Sequence, residues 1–162
     1  MANHENSPSH PEGHPHPLRY EVARNADFAK LAELRIEAMR ESLEALGRFD
    51  RKRSLDRFRA SFTPPRTWKA FAGDELVGFY ATTHNPGYVY LNHLYIDPRH
   101  QSSGYGTRML ERVIAISEEL GLPIRLGALR GSRANDFYLN RGFRVTSEEE
   151  WDIFYERSPK AR

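Results

Sequence analysis

The sequence predicts a single α/β domain preceded by a short polar tail. Three observations support this: the chain has 162 residues, 39% of them are hydrophobic, and strand-like runs alternate with segments of helical periodicity. The absence of cysteine excludes disulfides, thiolate metal sites and cysteine nucleophiles. No apolar run reaches the roughly 20 residues of a membrane helix. We therefore expect a cytoplasmic protein with no membrane partner.

Residues 1–17 are predicted to form a disordered His/Pro-rich tail, because they contain almost no apolar side chains to offset the entropy of ordering. The tail contains four histidines, His4, His10, His14 and His16. Neutral imidazoles bind transition metals, but this spacing suits no closed site, so no metal is expected. The folded domain is expected to cover residues 18–162.

The first half of the domain predicts a strand, two helices and a three-stranded meander. A strand at residues 19–23 precedes a helix whose apolar residues recur at helical spacing from Phe28 to Leu46, with Gly47 as a natural stop. A second helix is predicted near residues 54–62 and ends at two prolines. Three strands joined by glycine-containing turns follow, at residues 67–72, 75–82 and 88–97.

The second half alternates helices with strands. A helix is predicted to begin after residues 99–103 and to run to about residue 120, where Gly121 stops it. A strand at residues 124–129, a short helix at 133–141 and a hairpin of 143–146 with 151–155 complete the chain. The predicted order is β-α-α-β-β-β-α-β-α-β-β.

The most informative segment, residues 91–108, takes a strand through a glycine-bearing turn into a helix. Gly104 and Gly106 lack a Cβ atom, so the backbone can approach a ligand closely, and the N–H groups of the first helical turn point at that ligand. The helix dipole adds positive potential, which predicts an anion site suited to a pyrophosphate. The G-x-G-x-x-G of dinucleotide folds and the Gly-Lys-Ser/Thr of P-loops are both absent.

Two motifs in this order resemble the GNAT acetyltransferase family. The first family motif, Gln/Arg-x-x-Gly-x-Gly/Ala after a strand, is matched by residues 101–106 behind Ile96-Asp97-Pro98. The second, Ala-x-x-Phe-Tyr-x-x-x-Gly-Phe, is matched by residues 134–143. The resemblance covers about residues 19–157 and leaves the tail outside.

The resemblance implies the GNAT acyl-CoA acyltransferase fold, an α/β (α+β) architecture with a mixed, mostly antiparallel central sheet flanked by helices. The sheet would be splayed where residues 91–96 and 124–129 run side by side. It also implies direct transfer of acetyl from acetyl-CoA to a primary amine in a ternary complex. The implied coenzyme contacts are Leu94, Tyr95, Ile96, Gln101, Ser102, Ser103, Gly104, Tyr105, Gly106, Thr107 and Asn135.

Tyr138 corresponds to the family's general acid, which protonates the departing thiolate; the alternative is a core aromatic with its hydroxyl at the surface. The base departs from the family pattern, because many members carry a Glu where this chain has Asn92 and His93. Strand alternation places these two on opposite faces, so only one can reach a substrate without a bulge. His93 is therefore one candidate for the base. The alternatives are that His93 only packs between strand and helix, or that a water-relayed path takes the proton.

The family resemblance places the acceptor amine near residues 41–62 and 82–90. This region holds a basic cluster: Arg48, Arg51, Lys52, Arg53, Arg57 and Arg59. The cluster either binds an anionic or aromatic part of the acceptor, contacts the 3′-phosphate of coenzyme A, or forms a solvated helix face. The acceptor stays open among polyamines, aminoglycosides, amino acids, protein N-termini and lysine side chains.

Other partners are constrained by charge and by the predicted sheet. A net charge of +2 gives no broad footprint for nucleic acid. An edge strand near the C-terminal hairpin could pair across a homodimer. The missing acidic base motivates an alternative function, a non-catalytic acyl-CoA sensor with the same fold.

Overall fold

The computed structural model describes residues 17–160 and has four helices and seven strands within that range. The helices are α1 (Phe28–Ala45), α2 (Arg51–Ser61), α3 (Tyr105–Leu120) and α4 (Arg133–Leu139). The strands are β1 (Leu18–Val22), β2 (Thr67–Ala72), β3 (Glu75–Asn85), β4 (Tyr88–Ile96), β5 (Ile124–Leu129), β6 (Arg144–Glu148) and β7 (Asp152–Arg157). Apart from Pro17, the predicted tail lies outside the described residues.

The strands form one sheet in the order β1-β2-β3-β4-β5-β7-β6. Every pairing is antiparallel except that of β4 with β5, which is parallel because α3 carries the chain back across the sheet. The mixed, mostly antiparallel architecture implied by the family resemblance is confirmed. The two edge strands are β1 and β6, and β6 is the edge available to the predicted dimer pairing.

One face of the sheet is covered by α1 and α2. Leu31 of α1 and Phe58 of α2 are buried against Phe79 of β3. α2 begins at a capped residue, because the side chain of Asp50 accepts a hydrogen bond from the Arg53 N–H (2.9 Å). The second helix therefore starts three residues before the predicted position.

The opposite face is covered by α3 and α4. The buried stripe of α3 includes Met109, Leu110 and Val113, which pack on Leu126 of β5 and on Tyr138 of α4. α3 ends at a left-handed Gly121, the stop that the sequence predicts. Among residues 17–160, the helices are too short or too polar for any of them to span a bilayer.

Gly78 of β3 pairs with Ile96 of β4 at a point where no side chain fits. A Cβ atom at Gly78 would lie 2.5 Å from the Tyr95 carbonyl oxygen and 2.9 Å from Ile96 Cδ1. A side chain at position 78 would therefore displace β4, so this glycine is needed to position the C-terminal end of that strand.

Candidate active site

An opening separates β4 from β5 over most of their length. Their pairing consists of Val89 with Ile124 and Tyr90 with Arg125. From Leu91 onward, β4 pairs with β3 alone. Backbone N–H and C=O groups on the free edge of β4 are thus available to a ligand, as buried or half-buried backbone groups require partners.

A bulge in β4 decides which side chains face which side of the sheet. Ala81 of β3 pairs with His93, whereas the next residue, Thr82, pairs with Leu91, so Asn92 is the extra residue. Asn92 is exposed, and its Oδ1 accepts a hydrogen bond from the Thr83 hydroxyl (2.8 Å). β4 therefore contains a bulge of the kind considered from the sequence for Asn92 and His93. Of these two residues, His93 is the buried one.

His93 lies under α2 in an aromatic environment and is 8% exposed. Its ring centroid is 5.4 Å from that of Phe58 and 5.7 Å from that of Tyr95. Nε2 lies 3.1 Å from the Ser61 hydroxyl, and Nδ1 is buried without a hydrogen-bond partner among the described residues. Burial, aided by the Arg35 guanidinium, lowers the pKa of His93 to about 4. These contacts favour the packed, neutral histidine among the three alternatives.

Tyr138 lies on the other side of the sheet and is 6% exposed. Its ring centroid is 5.2 Å from those of both Phe137 and Phe143. Burial raises the pKa of Tyr138 well above its ordinary value, and Tyr95 of β4 adds to that rise. The phenol therefore keeps its proton at physiological pH.

The glycine-bearing turn delivers backbone amides to the end of the β4 edge. Ser102 (φ 71°) and Gly104 (φ 80°) both adopt the left-handed conformation, which turns the chain sharply into α3. The Arg108 N–H donates to the Gly104 carbonyl (3.2 Å), whereas the N–H groups of the first turn have no partner inside the helix. The first turn contains no acidic residue. These features create positive potential, as a phosphate site requires.

The other predicted coenzyme residues are arranged around this turn. Gln101 Nε2 lies 3.4 Å from the Ile96 carbonyl oxygen, and Tyr105 is buried in the core. A Cβ atom at Gly106 would lie 3.6 Å from the Phe137 ring, in ordinary contact. The Phe137 ring therefore leaves space for one methyl group at position 106.

Asn135 is occupied by protein contacts. Its Nδ2 donates to the carbonyl oxygens of Leu129 (2.9 Å) and Ser132 (3.0 Å), and its Oδ1 accepts from the Tyr155 hydroxyl (2.7 Å). These bonds join β5, α4 and β7. They support a structural role for Asn135 in addition to the coenzyme contact predicted from the sequence.

The basic cluster on α2 and the preceding loop is largely paired with acidic or aromatic groups. Arg51 pairs with Glu33, Lys52 with Asp56 (2.8 Å) and Arg53 with Asp50 (3.9 Å). Arg59 stacks over Phe28 (4.4 Å) and Arg48 over Trp151 (4.2 Å). This pairing favours a solvated helix face over a dedicated anion site.

The contact between Arg48 and Trp151 also joins two distant segments, the loop after α1 and the turn between β6 and β7. On β5, a Cβ atom at Gly127 would lie 2.9 Å from Phe154 Cε1 and 3.7 Å from the Tyr90 hydroxyl. Aromatic groups therefore line the sheet beside the opening, opposite the side covered by α3 and α4.

Several solved structures of acetyltransferases share this fold. One is the PaiA N-acetyltransferase of Thermoplasma acidophilum in complex with coenzyme A, with a TM-score of 0.69, 18% identity, and coverage of 88% of this chain and 99% of that one. An acetyltransferase of Thermus thermophilus has a TM-score of 0.69, 20% identity, and coverage of 90% and 99%. The Escherichia coli ribosomal-protein-S18-alanine N-acetyltransferase has a TM-score of 0.64, 18% identity, and coverage of 90% and 97%.

The sequence profile of the Acetyltransferase (GNAT) family matches residues 28–143. The chain therefore belongs to the GNAT acetyltransferase family, as the two sequence motifs predict. No curated protein sequence matches the chain significantly. The TM-scores to the solved structures show a shared fold, and at 18–20% identity they do not identify the acceptor.

Proposed function

We propose that this protein is an acetyl-CoA-dependent N-acetyltransferase that transfers acetyl directly to a primary amine in a ternary complex. The observation that carries this proposal is the free edge of β4, which leads into the unpaired amides at the start of α3. Tyr138 is buried on the face of the sheet that α3 covers, in the same cluster as Leu126 of β5. A cytoplasmic location, expected from the cysteine-free sequence, is part of the same proposal.

The coenzyme fits this arrangement. The β4 backbone at Leu94, Tyr95 and Ile96 would hold the amides of the pantetheine arm through strand-like hydrogen bonds. The pyrophosphate would lie on the backbone amides of residues 102–107, with the Gln101 side chain beside them. Gly104 and Gly106 keep side chains out of its path.

The bound coenzyme supplies a thioester, which is already activated for acyl transfer. Tyr138 would donate its proton to the departing sulfur, because burial maintains the phenol in its protonated form. The free edge of β4 would orient the thioester toward an amine arriving from the other side of the sheet.

An alkyl ammonium group has to lose a proton before it can attack, since its pKa is near 10. His93 is poorly suited to accept that proton, because its pKa of about 4 makes it a weak base. We therefore assign this proton to a water-relayed path on the acceptor side and give His93 a packing role.

Calorimetric titration with acetyl-CoA tests the coenzyme site. The wild-type protein should bind with a dissociation constant on the order of micromolar, and Gly104→Glu should bind at least about 100-fold more weakly, because its carboxylate repels the phosphates. Gly73→Glu is a matched control: Gly73 also has a positive φ, 60°, and no atom within 4 Å of its added Cβ. A folded wild-type protein that does not bind acetyl-CoA would overturn the proposal.

A thiol-release assay with a panel of amines tests catalysis itself. Polyamines, aminoglycosides, amino acids and peptides with free N-termini cover the open acceptor classes. Amine-dependent thiol release would establish the transferase, and tight binding without release by any amine would favour the sensor alternative.

A further inference from the structure

Arg141, the residue after the α4 C-cap, reaches across to the start of α3. Its Nη2 donates to the Thr107 hydroxyl (2.7 Å) in the first turn of α3, and its Nη1 donates to the Phe137 carbonyl oxygen (2.9 Å). The guanidinium also stacks on the Phe137 ring, with Cζ 4.0 Å from the ring centroid. Three contacts therefore hold this cation beside the glycine-bearing turn.

The charge of Arg141 has no acidic counterpart among residues 17–160. Its partners are a hydroxyl, a carbonyl and an aromatic ring, all uncharged. The neighbouring Arg144, in contrast, pairs with Glu156 at 3.0 Å. A half-buried arginine without a carboxylate retains its full positive charge for a ligand.

The charge of Arg141 lies beside the N-terminus of α3, where a cation is not expected. The N-terminus of a helix carries partial positive charge, so a cation placed there is unfavourable until an anion arrives. The first turn of α3 offers no acidic side chain to compensate, and its own amides are unpaired. Dipole, amides and guanidinium thus all favour one kind of guest, a phosphate.

The geometry of the guanidinium also suits a phosphate. Arginine has five N–H donors in a planar fork, and the two bonds to Thr107 and Phe137 use two of them. Stacking on Phe137 fixes the plane of the fork, so little side-chain freedom remains to be lost on binding. The same ring lies against Gly106, which places the fork at the predicted path of the pyrophosphate.

We propose that Arg141 is a coenzyme-binding residue whose guanidinium contacts the pyrophosphate at the N-terminus of α3. This inference rests on the proposed function. It adds a charged side chain to a site otherwise made of backbone amides and the neutral Gln101 side chain. Arg141 acts on coenzyme affinity and takes no part in proton transfer at the sulfur.

The test compares three ligands on wild-type protein and Arg141→Gln: acetyl-CoA, its dephospho form lacking the 3′-phosphate, and S-acetyl-pantetheine, which lacks the whole nucleotide part. Arg141→Gln should weaken the first two by the same factor, about 10- to 100-fold. The third should bind equally to both proteins. The KM for acetyl-CoA should rise while kcat stays unchanged, and the salt dependence of binding should decrease.

Two variants control for folding and for general charge. Arg144→Gln removes an arginine three residues away that already pairs with Glu156, and should bind acetyl-CoA like the wild type. Arg141→Lys keeps the charge without the fork and should bind with intermediate affinity. A thermal midpoint measured without ligand confirms that each variant is folded.

Each result has a distinct meaning. Equal acetyl-CoA affinity of wild type and Arg141→Gln would overturn the role of Arg141 and leave the proposed function standing. An effect lost with the dephospho form would move the contact to the 3′-phosphate, and an equal effect on S-acetyl-pantetheine would indicate structural damage; both overturn the inference. A wild-type protein that binds acetyl-pantetheine but gains nothing from the nucleotide part would do the same.

Discussion

The two faces of the sheet bury the two candidate proton-transfer residues to a similar degree. His93, on the side of α1 and α2, is 8% exposed, and Tyr138, on the side of α3 and α4, is 6% exposed. Both are surrounded by aromatic rings. Burial disfavours the charged form of each, which lowers the pKa of the imidazole and raises that of the phenol.

The same physical cause has opposite chemical consequences. Burial keeps Tyr138 protonated but also makes its phenol a weaker acid. It remains a suitable donor because a thiolate departing in the same low-dielectric site is a correspondingly stronger base. A neutral imidazole with a pKa near 4 has little affinity for a proton, so burial removes His93 as an effective acceptor. Burial alone therefore does not indicate a catalytic role; the direction of the required proton transfer decides it.

The largest expected effect comes from removing the donor. Tyr138→Phe should lower kcat by about 100-fold or more, since the thiolate then departs without an acid, while the KM for acetyl-CoA should change less than about twofold. Steady-state thiol release measures both. Tyr155→Phe is the control: it loses the bond to Asn135 and about 1 kcal/mol of stability, but not kcat. A Tyr138→Phe enzyme with wild-type kcat would assign the donor elsewhere.

The second effect concerns acid stability. The folded-state pKa of His93, about 4, lies below the ordinary value of 6.5. Between these values the unfolded chain binds a proton that the folded chain does not, so the unfolding free energy falls as the pH falls through this window. The full shift corresponds to about 3 kcal/mol.

Urea unfolding at pH 7 and pH 4 on wild type and His93→Leu isolates this contribution, because Arg35, Tyr95 and the surface carboxylates are common to both proteins. The wild type should lose about 3 kcal/mol more than the variant. Equal losses would show that His93 is accessible to protons in the folded state.

The smallest expected effect is that of replacing His93 on the catalytic rate. His93→Leu should keep kcat within about threefold of wild type, with the same pH profile, since the proton of the amine does not pass through this ring. The profile is measured by thiol release with a fixed amine acceptor. A 100-fold loss together with a shifted acidic limb would restore His93 as the base.

The elements that the sequence predicted best end at conformationally distinctive residues. Gly121 stops α3 where expected, with φ 67°, and β2 and β5 have the predicted bounds. The start of α2 was predicted too late, because residues 51–53 are all basic and show no apolar periodicity. The missed signal was Asp50, a good N-cap residue. Likewise, β3 continues to Asn85, past the predicted residue 82, because its polar end still pairs with β4.

The candidate site likewise has features that the sequence predicted and features that it did not. The glycine-bearing turn is a property of the local backbone, and the glycine pattern at residues 101–106 predicts it. The opening beside β4 depends on two strands far apart in the sequence, and it was expected from the family resemblance alone. The pKa of His93 depends on Phe58 and Arg35, which come from two different helices, so local sequence could not reveal it. Arg141 was missed because its significance lies in the absence of a nearby carboxylate within the described residues, which only a folded chain makes visible.

The short pairing between β4 and β5 has a mechanical consequence. Because two residue pairs join β4 to β5, the sheet consists of two parts with a narrow junction. One part is formed by β1 to β4 and the other by β5 to β7. α3 spans this junction, because its buried residues pack with Leu91 of β4 in one part and with Leu126 of β5 in the other. An extended ligand bound between β4 and β5, with its charged end on that same helix, would contact both parts of the sheet and hold them in a fixed relative orientation.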